Sequence, residues 1–177
     1  MTNLRLKASR FDELYTPAEA VMPLVRHLPY WVKRVWCLCD KEESEIAKGL
    51  ANAGYKVYHS HIDDGYDFLS FNKDLPGLSM IDMIITNPPY SNKDAFIKQC
   101  IDLGKPWALL LPLDALCGDQ RNKLYSITNV GVITLANRLD FTGKGANWFY
   151  NAWVCSWPEM GGTWIREDIK CVKNKRK

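Results

Sequence analysis

Short apolar segments of strand length alternate with segments of helical periodicity over the first two thirds of this chain. The strand-like segments are residues 34–39, 56–62, 80–86 and 107–111. Two segments between them, 42–52 and 94–103, repeat apolar residues at helical spacing and precede a glycine, the residue type that commonly ends a helix. This alternation predicts parallel β-α-β units and therefore an α/β fold with a doubly wound, Rossmann-like sheet.

The last third of the chain has a different pattern. Residues 132–136, 138–141 and 148–157 resemble short strands joined by turns that contain glycine. We therefore predict that a C-terminal antiparallel hairpin closes the mostly parallel sheet. One domain is expected over residues 1–165, followed by a basic tail over residues 166–177 that has six Lys or Arg and two acids and suits phosphate contacts.

Composition narrows the class of protein. With 47% hydrophobic and 24% charged residues, the chain is typical of a globular domain. No apolar run approaches the roughly 20 residues of a membrane span, and no secretory leader is recognisable, so we expect a cytoplasmic protein and no membrane partner. The six cysteines form no Cys-x-x-Cys pair and the three histidines complete no recognisable site, so we expect reduced thiols and no metal.

The chemistry is concentrated in Asn87-Pro88-Pro89-Tyr90, directly after the third strand-like segment. Ligands of open α/β sheets bind at the carboxyl ends of strands. Two prolines make a stiff loop, in which the Asn87 side chain and the Pro88 backbone each offer a carbonyl oxygen. Two such acceptors can hold both hydrogens of a planar amine and localise its lone pair, while an aromatic face stacks on the ring.

The motif resembles the catalytic motif of the amino-methyltransferase family, which modifies adenine N6 or cytosine N4 in DNA. Within that family the chain is similar to small adenine-methyltransferase-like proteins of bacteriophages and prophages, over about residues 12–154. The resemblance implies the class I S-adenosylmethionine-dependent methyltransferase fold. It also implies that Asn87 and Pro88, in the corner stiffened by Pro89, hold the target amine and that Tyr90 stacks on the base.

Two further elements of the resemblance imply a site for S-adenosylmethionine. Tyr15-Thr16-Pro17 matches the Thr-Pro element that contacts the cofactor before the first strand. The stretch containing Asp67 and Phe68 resembles the Asp-Phe element, in which the carboxylate accepts from the cofactor's adenine amine and the aromatic ring flanks the adenine. The order of these elements is that of the family branch with the cofactor-binding half first.

The turn after the first strand departs from the family because it contains no glycine. Asp40 is the candidate to receive the cofactor's ammonium, and helix-start amides near Ser44 are candidates for its carboxylate. After the second strand, His61 is the candidate for the ribose hydroxyls, with Asp63 and Asp64 as competing candidates. Asn87 is expected to contact the cofactor as well as the target.

Aromatic and basic residues in the last third suggest the nucleic-acid contacts. Phe149, Trp148 and Phe141 are candidates to pack on the second face of the target base, opposite Tyr90. Alternation predicts that Trp148 and Tyr150 share one face and that Phe149 occupies the other. The candidates for contacts to the phosphate backbone are Lys144, Lys173, Lys175 and Arg176.

The expected activity is methylation of adenine N6 in DNA, in a bacterial host cell of a phage or prophage. RNA adenine N6, DNA cytosine N4 and, less in keeping with the basic tail, a protein glutamine amide remain alternatives. A catalytically inactive module that binds nucleic acid or a host protein is an alternative of a different class. Because no target-recognition region is apparent, we expect a loose sequence preference, a recognition partner or a homodimer.

Overall fold

A computed structural model describes residues 15–145 and 148–169. The strands are β1 Arg34–Leu38, β2 Lys56–Ser60, β3 Met83–Thr86, β4 Trp107–Pro112, β5 Gly131–Leu135, β6 Asn151–Ser156 and β7 Trp164–Glu167. The α-helices are α1 Val21–Val25, α2 Glu45–Asn52, α3 Lys93–Leu103 and α4 Asp119–Tyr125, with several single-turn 3-10 helices between them. Within the described residues, no helix is both long and apolar enough to cross a membrane.

The strands form one mixed sheet in the order β2-β1-β3-β4-β6-β5-β7. Only β6 runs antiparallel to its neighbours β4 and β5, whereas every other neighbouring pair of strands is parallel. This order confirms the predicted fold class. The sheet is doubly wound and Rossmann-like, of the class I S-adenosylmethionine-dependent methyltransferase type with a C-terminal antiparallel hairpin.

Helices cover both faces of the sheet, because strand side chains alternate between two apolar layers. On one face, Val35 and Cys37 of β1 pack with buried residues of α1 and α2. On the other face, Trp36 and Leu38 pack with buried residues of α3. The fully buried strands β3, β4 and β6 lie between these layers, so the candidate site residues that follow β3 and precede β6 lie at the ends of rigid elements.

The predicted strand over residues 138–141 is wrong. Both edges of β5 are already occupied, by β6 and by β7, so no edge of β5 remains for this segment. Leu139 and Phe141 are buried from an irregular loop instead, which explains their alternating hydrophobicity. The helix α4 and the strand β7 were not predicted, and β7 continues to Glu167, two residues beyond the proposed domain boundary.

Gly131 is required where β5 begins, because a Cβ there would lie 2.1 Å from the backbone carbonyl oxygen of Met160. We expect Gly131→Ala to lower the free energy of unfolding by about 3 kcal/mol, since a backbone atom cannot rotate away. Gly54→Ala is the comparison: its φ is +93° but its surroundings are open, so about 1 kcal/mol is expected. Urea unfolding of both variants measures the difference, and equal losses would show that the contact with Met160 is easily relieved.

Candidate functional site

The candidate site lies where the sheet reverses its winding. The strand β1 pairs with β2 on one side and with β3 on the other. The carboxyl ends of β1 and β3 are therefore where an open sheet is expected to bind its ligand. Asp40 follows β1 and Asn87 follows β3. The two predicted positions are therefore carried to the same edge of the sheet by neighbouring parallel strands.

Asp40 is a buried carboxylate at this edge. Thr86, the last residue of β3, places its hydroxyl 3.0 Å from Asp40 Oδ2 and also within hydrogen-bond range of the Leu38 carbonyl. Burial raises the pKa of Asp40 to about 7, and hydrogen bonds from Ser44 and Thr86 only partly oppose this effect. A cation placed beside Asp40 would compensate the cost of keeping this carboxylate charged.

The turn between β1 and α2 reaches its shape without glycine. Cys39 has φ +66°, the one residue other than glycine in the described chain with a positive φ. Residues with a side chain rarely adopt this conformation, and when they do they are often at functional sites. Ser44 then caps α2, because its hydroxyl accepts a hydrogen bond from the Ala47 amide at 3.1 Å. The helix therefore begins three residues later than predicted.

The Asn87-Pro88-Pro89-Tyr90 corner connects β3 to α3 through a 3-10 turn over Tyr90–Asn92. Pro88 and the Oδ1 atom of Asn87 are buried, whereas Pro89 and Tyr90 are half-buried, so the corner is anchored and only partly accessible. The amide of Asn151, the first residue of β6, donates to the Tyr90 hydroxyl at 2.9 Å. The tyrosine is thus oriented by a strand 61 residues further along the chain.

Aromatic rings extend from this corner towards the surface. The Phe149 ring meets Tyr90 edge-to-face at 5.8 Å between centroids and stacks with Phe141 at 6.4 Å. Phe141 is buried, and Phe149 is half-buried against the core. Trp148 and Tyr150 are both exposed and lie opposite the inward-facing Phe149, so they share one face as the alternation predicted. Of the three candidates for the second base-stacking ring, Phe149 is the one in ring contact with Tyr90.

The predicted Thr-Pro element lies near the turn after β1. Tyr15 is exposed and close enough to Lys41 to act on that lysine's pKa, Thr16 is buried, and Pro17 precedes a 3-10 turn over Ala18–Ala20. This placement keeps the element at the edge of the sheet that carries Asp40. Its contact with a cofactor stays a prediction.

The two residues of the predicted Asp-Phe element have different environments. Asp67 is exposed and caps a 3-10 turn, with one carboxylate oxygen accepting from the Leu69 amide at 3.1 Å. Phe68 is only 4% exposed and packs against Trp36 and Phe96 at 5.8 and 5.3 Å. Asp67 is accessible to a ligand, whereas Phe68 contributes mainly to the core in this conformation.

The loop after β2 is linked to the turn after β1. Lys41 forms an ion pair with Asp63 at 3.0 Å, and His61 accepts a hydrogen bond from the Asp63 amide at 3.2 Å. The hydrogen bond from Lys41 lowers the pKa of Asp63. Of the three polar candidates in this loop, Asp63 is paired with Lys41, whereas Asp64 lines a cavity beside the β2 edge of the sheet.

A cavity of about 520 Å³ opens beside the β2 edge. Trp36, Tyr58 and Phe71 form its aromatic walls, and Ser60 and Asp64 contribute polar groups. Within the part of the chain described here, the Asn87–Tyr90 corner does not line this cavity. The cavity is therefore adjacent to the candidate site and separate from the Asn87–Tyr90 corner.

Of the four residues predicted to contact phosphates, one lies within the described part of the chain. Lys144 is exposed, in a turn held by Asp140, whose carboxylate accepts from the Thr142 and Gly145 amides at 3.0 and 2.8 Å. The other three predicted contacts, Lys173, Lys175 and Arg176, lie outside the described residues. Their role stays a prediction.

Two residues of this site were not predicted from the sequence. The hydrophobic pattern indicates only that Thr86 ends a strand, and Asn151 lies at the start of an apolar run. The one signal for Asn151 is an isolated amide before a strand that is otherwise apolar or small. A buried amide requires hydrogen-bond partners, but the sequence does not identify them.

No family model and no curated protein matches this sequence. Among solved structures, a predicted O-methyltransferase from Agrobacterium tumefaciens aligns over 90% of this chain and 89% of its own, with 11% identity and a TM-score of 0.46. A putative class I S-adenosylmethionine-dependent methyltransferase from Listeria monocytogenes aligns over 86% and 65%, with 12% identity and a TM-score of 0.48. A protein-(glutamine-N5) methyltransferase from Alicyclobacillus acidocaldarius aligns over 80% and 94%, with 15% identity and a TM-score of 0.46. The fold is established by the order and direction of the strands rather than by these likenesses.

Proposed function

We propose that this protein transfers a methyl group from S-adenosylmethionine to the exocyclic amine of a nucleic-acid base, with adenine N6 in DNA as the favoured target. The observation that carries the proposal is the stiff Asn87–Tyr90 corner at the carboxyl end of β3, at the point where the sheet reverses its winding. Tyr90 is held there by Asn151 and makes an edge-to-face contact with Phe149.

The residues around the corner fit the donor at several points. The buried carboxylate of Asp40 would receive its ammonium group, and amides at the start of α2 near Ser44 would receive its carboxylate. His61 would contact the ribose, and Asp67 would accept from the adenine amine. When bound, the donor supplies an electrophilic methyl group attached to a sulfonium.

The chain's own residues position and polarise the target amine. The Asn87 side-chain carbonyl and the Pro88 backbone carbonyl each accept one of the two hydrogens, which localises the nitrogen lone pair. Stacking on Tyr90 fixes the plane of the base for in-line attack. The nitrogen–methyl bond forms as the sulfur–methyl bond breaks, and the surplus proton of the amine passes to water.

The substrate class is tested by incubating the protein with methyl-labelled S-adenosylmethionine and duplex DNA, single-stranded DNA or RNA, followed by nucleoside mass spectrometry. N6-methyladenine in DNA is the expected product. N6-methyladenine only in RNA, or N4-methylcytosine in DNA, would replace the favoured target by one of the two nucleic-acid alternatives. Label recovered only in added protein would indicate a glutamine amide, and no transfer to any acceptor would refute the proposal.

A second candidate function is a methyltransferase-like module that binds nucleic acid or a host protein without catalysis. Two observations favour it: Phe68 is packed in the core rather than exposed to flank a ligand, and the turn at Cys39 lacks the glycine that would let the backbone approach a donor closely. Calorimetry with S-adenosylmethionine distinguishes the two functions. Micromolar binding supports the enzyme, whereas no binding at millimolar concentration supports the module.

The hydrogen bond between Asn151 and Tyr90 gives a prediction about positioning. We expect Asn151→Leu to lower the rate of transfer about tenfold with little change in the Kd for S-adenosylmethionine, because only the orientation of Tyr90 is lost. Asn151 Oδ1 is buried without a hydrogen-bond partner among the described residues, so the apolar replacement is expected to leave the free energy of unfolding unchanged or higher.

Tyr90→Phe removes the same hydrogen bond from the other side. Single-turnover rates of the two variants and of the double variant form a double-mutant cycle. The double variant is expected to be no slower than the slower single variant. Fully multiplicative losses would mean that Asn151 and Tyr90 act independently.

A further inference from the structure

We infer that Trp148, Tyr150 and Arg138 form a platform on which the nucleotides flanking the target base stack, and that the platform selects single-stranded nucleic acid. This inference rests on the proposed function, because it places the target base at the Tyr90 corner. It adds the strand on either side of that base to the site.

Two large aromatic side chains of this segment are exposed, so packing in the core does not explain why they are aromatic. Trp148 is 84% exposed and Tyr150 is 47% exposed, although they flank Phe149, which turns inward against the core. Exposing such surface to water is unfavourable, and clustered exposed aromatics mark binding sites more often than isolated ones do.

The platform is continuous with the corner. The Trp148 ring meets Phe149 edge-to-face at 5.2 Å, and the Phe149 ring meets Tyr90 in the same manner at 5.8 Å. Trp148 therefore lies one ring beyond the ring that contacts Tyr90. A base held against Tyr90 would leave its neighbour along the strand close to the Trp148 face.

The charge of this segment suits a polyanion. The guanidinium of Arg138 lies 5.4 Å from the centre of the Tyr150 ring, and Lys144 is exposed in the same connection. The one acid between residues 136 and 150 is Asp140, and its carboxylate is turned into its own loop by the Thr142 and Gly145 amides. Phosphates approaching the platform therefore meet cations.

The chemistry favours single strands over duplexes. Aromatic side chains stack on the faces of bases, and these faces are accessible only where the bases are not stacked in a helix. A duplex presents base edges and phosphates instead, and reading it requires an element that enters a groove. Trp148 and Tyr150 offer flat faces with an adjacent cation, the combination that binds single strands without sequence preference.

The test measures binding separately from catalysis. Fluorescence anisotropy of a labelled oligothymidylate of about twelve nucleotides, which has no adenine target, reports the flanking contacts alone. Trp148→Ala is expected to weaken binding between about fivefold and a hundredfold. Arg138→Gln is expected to weaken it less and to lower the salt dependence by about one phosphate contact.

The chain offers a matched control. Trp164 on the edge strand β7 is also exposed, at 75%, and it pairs with Val132 near the start of β5, whereas the platform precedes β6 at the other end of β5. Trp164→Ala is expected to bind oligothymidylate with the wild-type Kd. Equal losses in Trp148→Ala and Trp164→Ala, no binding by the wild-type protein, or equally tight binding of duplex DNA would overturn the inference.

The outcomes separate this inference from the proposed function. If no acceptor is methylated but Trp148→Ala still loses oligothymidylate binding, the platform stands and the proposed activity fails. If methylation occurs and Trp148→Ala binds oligothymidylate with the wild-type Kd, the activity stands and the platform fails.

Discussion

Asn87→Ala is expected to lower the rate of methyl transfer about a thousandfold, the largest effect of any single substitution considered for this site. The variant removes one of the two carbonyl acceptors proposed to hold the target amine, and it leaves Pro88, Pro89 and the end of β3 in place. Because the lost interaction is strongest in the transition state, the change is expected in kcat rather than in the Kd for S-adenosylmethionine. Single-turnover transfer and calorimetry measure the two quantities separately.

Two comparisons show whether the loss is specific to the Asn87 carbonyl. Asn87→Asp keeps an oxygen acceptor at the same position, now from a carboxylate, and is expected to retain part of the activity that Asn87→Ala loses. Asn52→Ala, at the exposed end of α2, changes the same residue type away from the site and is expected to leave the rate unchanged. Transfer by Asn87→Ala at the wild-type rate would refute the catalytic assignment.

Asp40→Asn is expected to increase stability while it weakens cofactor binding. The folded-state pKa of Asp40 is raised to about 7, above the usual value near 3.9, because the carboxyl is buried. Between about pH 4 and pH 7 the folded protein retains a proton that the unfolded chain has released, so the contribution of Asp40 to stability falls as pH rises through this window and is level above it. At about pH 8 the variant is therefore expected to unfold with a free energy up to about 4 kcal/mol higher, and near pH 4 the two proteins should agree.

Asp82 provides a control of opposite sign. Burial acts to raise its pKa, but hydrogen bonds from the Arg34 guanidinium and from the Lys33 and Arg34 amides outweigh burial and hold the pKa below its usual value. The contribution of Asp82 to stability is present above its usual pKa and is lost as pH falls. Asp82→Asn is therefore expected to lower stability at about pH 8, where Asp40→Asn raises it, and urea unfolding across pH distinguishes them.

The Asp40 carboxyl is also expected to link cofactor binding to pH. A cation beside Asp40 lowers the pKa of that carboxyl. S-adenosylmethionine is therefore expected to displace a proton when it binds below about pH 7. Its affinity should then weaken as the pH is lowered below about 7. Calorimetry in two buffers with different ionisation enthalpies measures the released proton, and Asp40→Asn should abolish the release. An affinity that stays constant from about pH 5 to pH 8 would show that Asp40 does not meet the ammonium group.

The corner could be predicted from the sequence because its chemistry is local. Two successive prolines restrict the backbone whatever surrounds them, and an apolar strand directly before them places them at a strand end. The main strands and helices were also predictable, since periodicity reports which face of each element is buried. For the same reason Phe149 was expected on the opposite face from Trp148 and Tyr150, which the structure confirms, but periodicity did not say which of the two faces is buried.

Periodicity does not identify the partner of a buried residue, and this limit accounts for what was wrong or missed. The alternation at 138–141 reflected burial from a loop, because β6 and β7 occupy both edges of β5. The exposure of Asp67 and the burial of Phe68, adjacent in sequence, depend on whether Trp36 and Phe96 pack against the ring.

By itself, the sequence determined the fold class, the rigid proline corner and its place after a strand, because these depend on backbone restriction and local hydrophobic pattern. The tertiary structure alone decided that Thr86 meets Asp40, that Asn151 orients Tyr90 and that Trp148 remains exposed one ring beyond the corner. Thr86 and Asp40, Asn151 and Tyr90, and the Phe149 and Tyr90 rings that link Trp148 to the corner are distant along the chain, and only the packing of the sheet brings them within hydrogen-bond or ring-contact distance.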